Sequence, residues 1–476
     1  MRAGPRVTVP DFASYTLGRY NRTVDRVASL RWKYVVIVLA AAAVGWLLYP
    51  PSLSRYASGP MALRLLTVAW LLPVPTLLVA FFGFAVWFRP WKLRIDPPLG
   101  AVPGPRPVVH FQITTTGVNA GTVRHTAESV LHWTWAHPEL PYRSEVWVFV
   151  EEWGWLPNRA VFDGLGALGV RVVVVPADYR PPGGSLRKSR ALQYSVGHRR
   201  ALGLDPASTW VYHQDDETAV GEDTVLGVAE FLIRHGSERA VGMGMIIYPQ
   251  RGGDFRPSFV ADFLRAKDDF RNMLTISGRR NVFGGFHGSH YIVREDVEEA
   301  VGYDVGRDLI VSEDFYFEVR VRHRFGGIFH VLKGFAYEQS PLTLSDQLKQ
   351  RRRWVWNLRS GWLHLDLPAS RRAMLAYSLT TWMCASLSTG LIVASLVLHF
   401  GPIIPLGGLL AGVVWSIMVL QYYVGYSLHR DYVSRFNSLP RLVANGIVGA
   451  LTDAVAVWAG MLTRQRGRFE VVRKDA

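Results

Sequence analysis

TWVYHQDDET, Thr209 to Thr218, joins a short run of β-branched and aromatic residues to three consecutive acids. Its first half, Thr209 to His213, has the composition of a strand, and the acids then stand at the strand's carboxyl end. Asp215 and Glu217, two residues apart, offer hard oxygen ligands to a divalent cation, and such a cation neutralises a diphosphate. The same acids also read as a solvated turn ahead of a helix after Glu222; taken alone, the two readings are even. Working toward the N-terminus, strands are predicted at Val108 to Thr114, Glu145 to Val150 and Val170 to Pro176. Helices are predicted between them at Gly121 to Ala136, Arg159 to Leu168 and Leu186 to Leu202. This βαβαβαβ rhythm predicts a parallel sheet with helices on both faces. Ligands of such sheets bind beyond the carboxyl ends of the strands. That rule collects Thr114 to Thr116, Glu151 with Glu152, and Asp215 to Glu217 on one edge.

Four more stretches carry candidate chemistry. In SEDFYFE, Ser312 to Glu318, Asp314 sits among aromatic residues, surroundings that suit a general base held partly out of water. The commoner reading of the same stretch is a helix start, with Ser312 as cap and acids in the first turn. QRRRW, Gln350 to Trp354, offers arginines to an anion and an indole to a sugar ring. Interfacial helices use the same residues as anchors. In LRKSRALQY, Leu186 to Tyr194, Lys188 and Arg190 follow the Gly183-Gly184 turn near a helix N-terminus, where free backbone N–H groups suit a phosphate. Plain surface basic residues are the alternative. In GGFHGSHY, His287 and His290 are three apart, a weak metal spacing that reads better as a sugar or acceptor contact.

The whole chain sets these motifs beside a membrane. It has 476 residues, a net charge of +15 and 19% charged residues, yet its apolar residues gather in blocks. Spans are predicted at Tyr34 to Tyr49, Leu65 to Phe88 (kinked by Pro73 and Pro75), Leu375 to Phe400 and Pro405 to Leu428. A basic amphipathic stretch, Ser345 to Leu367, is predicted to lie in the interface. Leu439 to Thr463 contains Asn445 and Asp453. It reads as re-entrant or interfacial, because a full crossing would carry the basic tail Arg464 to Lys474 outside. Arg26, Arg31, Lys33, Arg89, Lys92 and Arg94 flank the apolar blocks, which favours a membrane surface over nucleic acid. The positive-inside rule puts Met1 to Lys33 and the chain after Arg89 in the cytoplasm. The single cysteine, Cys384, excludes an internal disulfide and a cysteine-based metal site.

In chain order, an acid after the second strand, K-x-x-A-L-Q, D-x-E, E-D and Q-x-x-R-W beside membrane spans resemble the family 2 glycosyltransferases of the membrane synthase type, over roughly Val108 to Trp354. KSRALQY, HQDDET, RAKDDF, SEDFYF, YEQSPLTLSDQLKQRRRW and the ending FEVVRKDA are similar to the Egghead-like branch, animal β-1,4-mannosyltransferases that use GDP-mannose and glucosylceramide. The resemblance implies an α/β GT-A (Rossmann-like) catalytic domain with transmembrane α-helices on both sides. The expected segments are a cytoplasmic segment 1–33, two transmembrane helices in 34–88 and the catalytic domain 89–341. Interfacial helices over 342–370, a transmembrane or re-entrant region 371–463 and a basic tail 464–476 follow. The resemblance implies an inverting enzyme with Asp314 as base and Mg²⁺ or Mn²⁺ held by Asp215 and Glu217. It implies donor contacts from Thr115, Glu151, Lys188, Arg190, Asp215, Asp216, Gln350 and Arg353. Acceptor contacts are expected from His287, Gly288, Ser289, Glu313 and Trp354. The chain departs from the family pattern with Glu151 for Asp and D-x-E for D-x-D, which keeps the charge but shifts ligand distances. The expected partners are a nucleotide-sugar donor, GDP-mannose favoured, and a lipid-linked sugar in a bacterial plasma membrane, with no nucleic acid. Competing expectations are a processive polysaccharide synthase, a polyprenyl-phosphate transferase using a UDP-sugar, and an inactive membrane scaffold.

Overall fold

A computed structural model describes residues 12–48, 61, 72–84, 91–94, 106–249, 256–263, 265–277, 286–306, 313–364, 367–398, 417, 420–433 and 439–463. Eight strands form one sheet: β1 Val108–Thr115, β2 Arg143–Glu151, β3 Arg171–Val175, β4 Thr209–Gln214, β5 Ala219–Val220, β6 Val241–Ile247, β7 Tyr291–Arg294 and β8 Phe329–Tyr337. The helices are α1 Leu17–Leu48, α2 Val74–Phe82, α3 Ala120–Ala136, α4 Glu152–Trp155, α5 Arg159–Ala167, α6 Arg187–Ala201 and α7 Glu222–His235. They continue with α8 Pro257–Phe263, α9 Arg265–Ser277, α10 Glu295–Val301, α11 Glu313–Phe325, α12 Leu344–His364, α13 Ala369–Leu398 and α14 Leu439–Leu462.

Strand order is β3-β2-β1-β4-β7-β6-β8-β5. The first four strands are parallel, as their alternation with helices predicts, and their ends align: Thr115 pairs with Val150, and Ile113 with Gln214. The expectation of a wholly parallel sheet does not extend to the second half. There β7 runs antiparallel between β4 and β6, β6 and β8 are parallel, and β5 is an antiparallel edge. The reason is local. The connection from β6 back to β7 brings the chain in beside β4 from the other direction, so β7 fills the gap between two strands that share one sense. The main core lies on one face of β1 and β4, where Phe111, Ile113, Trp210 and Tyr212 are buried in one cluster with Val130, Phe231 and Leu232. A polar seam crosses the helical layer. Arg199 of α6 binds Glu295 and Glu298 of α10 and donates to Gln112 of β1, so a fully buried guanidinium is balanced by two carboxylates. At the carboxyl edge, Gly154 of α4 lies against the Thr116 carbonyl so closely that a β-carbon would collide with it. This contact holds the ends of β1 and β2 together.

The helical periphery clasps this domain. Helix α1 is continuous over 32 residues, so the expected boundary at residue 33 is not a break in structure. Its first half is joined to the sheet domain, where Glu222 accepts from Leu17 N (2.7 Å) and the Tyr20 hydroxyl donates to Trp91 O (2.6 Å), and to the C-terminal region, where Arg26 pairs with Asp431 (2.8 Å). The predicted spans at 65–88 and 405–428 lie only partly among the described residues. Within the first, Pro73 and Pro75 open α2, where a missing N–H costs nothing. The tail 464–476 and the ending FEVVRKDA lie outside the described residues. One helix among those described, Pro440–Leu462, is long and apolar enough to cross a membrane. The helix is unbroken from Leu439 to Leu462.

Candidate active site

The carboxyl ends of β1, β2, β4 and β8 bring the sequence motifs together around Lys188. This residue sits in the first turn of α6, and its ammonium binds Asp215 and donates to Gly288 O at 3.0 Å. Glu313 Oε1 lies 3.8 Å away, and the Asp314 charge also acts on the ammonium. Burial favours the neutral amine, but Asp215 and Glu313 outweigh it and keep Lys188 protonated. One cation therefore links the acidic turn after β4, the HGS loop before β7 and the first turn of α11. Gly288 makes that possible: a β-carbon there would stand 2.8 Å from Lys188 Nζ and 3.5 Å from Asp314 Oδ2.

Asp314 is half-buried, and its Oδ1 accepts from Phe315 N at 2.7 Å. Burial, then the Glu313 carboxylate, push its pKa up to about 7, against the pull of Lys188. That is the range in which a carboxylate serves as a base at neutral pH. Ser312, the expected cap, lies outside the described residues, but Glu313 and Asp314 do occupy the first turn of α11. The helix-start and base readings of SEDFYFE therefore coexist.

The residues expected on the donor side divide into two groups. Glu151 is buried in an ion pair with Arg190, which also donates to Tyr179 O (3.1 Å) and Pro176 O. Burial raises the pKa of Glu151 and Arg190 opposes that. Thr115 donates to Asp216 Oδ2 at 3.3 Å and accepts from Gly117 N at 3.0 Å, which shapes the turn. Gln350 accepts from Arg351 at 2.9 Å. The second group is cationic: Arg353 stands near enough to Arg187 for its charge, after burial, to depress the Arg187 pKa. Arg187 and Arg353 thus add positive charge next to Lys188 in the same region. Arg187 has a φ of 60° and His290 a φ of 55°, the only non-glycine residues with positive φ among those described. They flank the two sides of this centre, and such strain gathers at functional sites.

On the acceptor side, His287 Nδ1 hydrogen-bonds Ser289 O at 2.8 Å and its Nε2 lies 3.4 Å from Asp269. Burial lowers the His287 pKa, but the Asp269 contacts outweigh it and leave a net rise. His290 instead meets the Tyr212 hydroxyl (2.6 Å) and Gly334 O (3.2 Å), and burial keeps it neutral, so the two histidines do not converge on one ion. The Trp354 ring lies under Arg351 (4.2 Å) and Arg265 (5.0 Å).

Two residues here had no assigned role in the sequence reading. Glu338 accepts from Ser289 and from Thr218 (3.0 Å) and stands 4.0 Å from Arg265. Burial raises its pKa, as do Glu217 and Asp215, while Arg265 lowers it. It fastens the acidic turn to the HGS loop, and Arg265 connects it to Trp354. Both residues lie in stretches already singled out, RAKDDF and YEQSPL, but nothing local marks a lone Glu or Arg as belonging to a site 120 residues away in sequence for Thr218.

A half-buried carboxylate beside a lysine, with an acidic turn at the carboxyl edge of an α/β sheet, has the form of a nucleotide-dependent group transferase. Residues 210–428 match the family model described as glycosyl transferase family group 2. The chain is 30% identical over 318 residues to the beta-1,4-mannosyltransferase egh of Drosophila melanogaster, covering 64% of this chain and 67% of that one. It is 29% identical over 322 residues to a beta-1,4-mannosyltransferase of Caenorhabditis elegans, with the same coverage, 64% and 67%. The chain belongs to the family 2 glycosyltransferases, and its catalytic domain is of the GT-A type. A crystal structure of S. aureus TarS aligns over 76% of this chain and 94% of that one, at 12% identity and a TM-score of 0.33.

Proposed function

We propose that the chain is an inverting, membrane-bound β-1,4-mannosyltransferase that moves one mannose from GDP-mannose to a lipid-linked sugar, with its catalytic domain in the cytoplasm. The observation that carries the reaction is the position of Asp314 beside Lys188, at the point where the acidic turn, the HGS loop and α11 meet. The choice of mannose rests on the names of the two relatives.

In this reading the acceptor hydroxyl lies against Asp314 and gives up its proton as its oxygen attacks the anomeric carbon. The nucleoside diphosphate leaves from the opposite face, so the linkage inverts. Arg187, Lys188 and Arg353 stabilise the charge that develops on the departing phosphate, helped by the N–H groups that open α6. Asp215 and Glu217 offer carboxylate oxygens at the end of β4, close enough to Glu338 for their charge to raise its pKa. Such a set fits Mg²⁺ or Mn²⁺. Asp215 and Glu217 would hold the ion, which supplies positive charge against the diphosphate. Glu151, oriented by Arg190, is placed to accept from a nucleobase, and the HGS loop with Glu313 and Trp354 lines the acceptor side.

The test is incubation of purified enzyme with GDP-mannose, UDP-glucose and UDP-N-acetylglucosamine, each with membrane lipid extract, followed by mass spectrometry. A lipid product heavier by one hexose with GDP-mannose alone is expected. A UDP-sugar preference, or a ladder of added hexoses, would overturn the donor and single-transfer reading.

A further inference from the structure

At the end of the sheet opposite Asp215, three metal-ligating groups meet. His235 closes α7, Glu238 lies three residues on in the turn before β6, and His330 is the second residue of β8. His235 Nδ1 is 2.6 Å from Glu238 Oε1, and His330 Nε2 is 3.8 Å from the same oxygen. One ligand atom from each residue falls within 4.8 Å of the others. The two imidazoles stack with centroids 3.9 Å apart.

The donor set selects the ion. Two imidazoles and one carboxylate suit Zn²⁺ and its neighbours, whereas Mg²⁺ takes oxygen ligands and keeps its waters. Tetrahedral bonds of about 2.1 Å put ligand atoms roughly 3.4 Å apart, a value that the two spacings to Glu238, 2.6 Å and 3.8 Å, bracket. Nearby positive charge is already balanced: Arg234 pairs with Glu230 and Arg239 with Asp296, each at 2.7 Å. Glu238 is 53% exposed, which leaves a path for the ion and room for water.

We propose that His235, Glu238 and His330 form a second metal site, of the class that binds Zn²⁺, with water completing the coordination. It is separate from the acidic turn. Strand β8 runs from this cluster toward Glu338, and eight residues of strand span about 26 Å. Its effect would be structural. The far end of the α7–β8 pair is already fixed, because Asp223 accepts from Phe335 N (2.7 Å) and from the Tyr337 hydroxyl (2.8 Å). A metal on His235 and His330 would fix the near end.

The test uses tag-free, full-length protein in detergent, stripped of metal and titrated with Zn²⁺ while binding and unfolding temperature are recorded. One Zn²⁺ per chain should bind at this site and raise the unfolding temperature, and excess Mg²⁺ should not displace it. His330→Ala and the milder surface change Glu238→Gln should each weaken that binding at least about tenfold, since even outer partners of metal ligands are worth that much. Asp215→Asn should leave it unchanged. Absence of Zn²⁺ binding, binding by the two cluster variants as tight as the parent's, or loss of binding in Asp215→Asn would overturn the proposal, without touching the glycosyl-transfer reading.

Discussion

At Asp314 burial and ionisation oppose each other, and Lys188 decides how far. The pKa of about 7 means that the carboxyl is largely protonated below neutrality, so the base is absent at acid pH and forms as pH rises. The pH profile of kcat/KM should therefore climb on its acid side with an apparent pKa near that value. Asp314→Asn keeps the shape but cannot take the proton. It should cost about 10²–10⁴ in turnover while donor affinity, measured by calorimetry, stays close to that of the parent. Parental turnover in the Asn variant would remove Asp314 from the chemistry. Glu338 acts one layer out, through its bonds to Thr218 and Ser289. Gln at this position still accepts both bonds, whereas Ala accepts neither. Glu338→Ala should raise donor KM by about 10–100-fold, the usual cost of an outer partner, and Glu338→Gln should recover most of it. If Gln fails as badly as Ala, Glu338 ligates the cation directly. The sequence marked Asp314, Lys188 and Asp215 because each ends a pattern that has a local physical signature. Glu338 and Arg265 have none, since their meaning arises only when β8 and α9 are packed beside the acidic turn.

Among the elements, α12 does more than present QRRRW. Its Arg351 binds Asp262 of α8 and Asp453 of α14 (3.2 Å), and Gln347 also reaches Asp453 (2.6 Å). Asp262 is 1% exposed and Arg351 7%, so the pair stands out of water. Removing the arginine leaves two carboxylates without their cation. Arg351→Met should destabilise the protein by about 3–5 kcal/mol, whereas Arg352→Met, which loses a cation–π contact with Trp356, should cost under about 1 kcal/mol. Equal unfolding temperatures for the two variants in detergent would refute the asymmetry. The sequence made α12 legible as a helix, but not which of its arginines anchors and which faces the donor site, because three consecutive arginines point in three directions around a helix. The first four strands were legible for a different reason: each is a short β-branched run followed by a helical stretch. The strands β5 and β7, of two and four residues, carry too little pattern to read, and the antiparallel half of the sheet was missed with them.

For the whole molecule, the course of α14 decides on which side of a membrane the chain ends. Its 24 residues span about 36 Å, enough to cross a hydrocarbon core of about 30 Å. Its contacts argue otherwise. Gln347 donates to Gly449 O (3.2 Å), Arg351 binds Asp453, Gly460 abuts Val355, Trp356 donates to Thr463 O (3.1 Å) and Arg359 donates to Met461 O (2.8 Å). The numbers rise together from 347/449 to 356/463, and Arg359 still meets Met461, so α14 lies alongside α12 from residue 347 to 359, which is about 18 Å of helix. Helix α12 carries arginines at 351, 352, 353 and 359, which belong at the surface and not in hydrocarbon. On the proposed cytoplasmic placement of α12, an α14 bound along it would lie in the plane of the interface, with Val443, Ile447, Val448, Val455 and Leu462 exposed for the acyl boundary. The basic tail beyond Thr463 then stays on the cytoplasmic side, as the positive-inside rule requires. The check is cysteine labelling in a Cys384→Ser background, comparing Lys474→Cys in the tail with Arg159→Cys on the exposed start of α5. Both cysteines should resist an impermeant maleimide in intact cells and react once the membrane is opened. Labelling of the tail alone in intact cells would show that α14 crosses, and labelling of Arg159→Cys would place the catalytic domain outside.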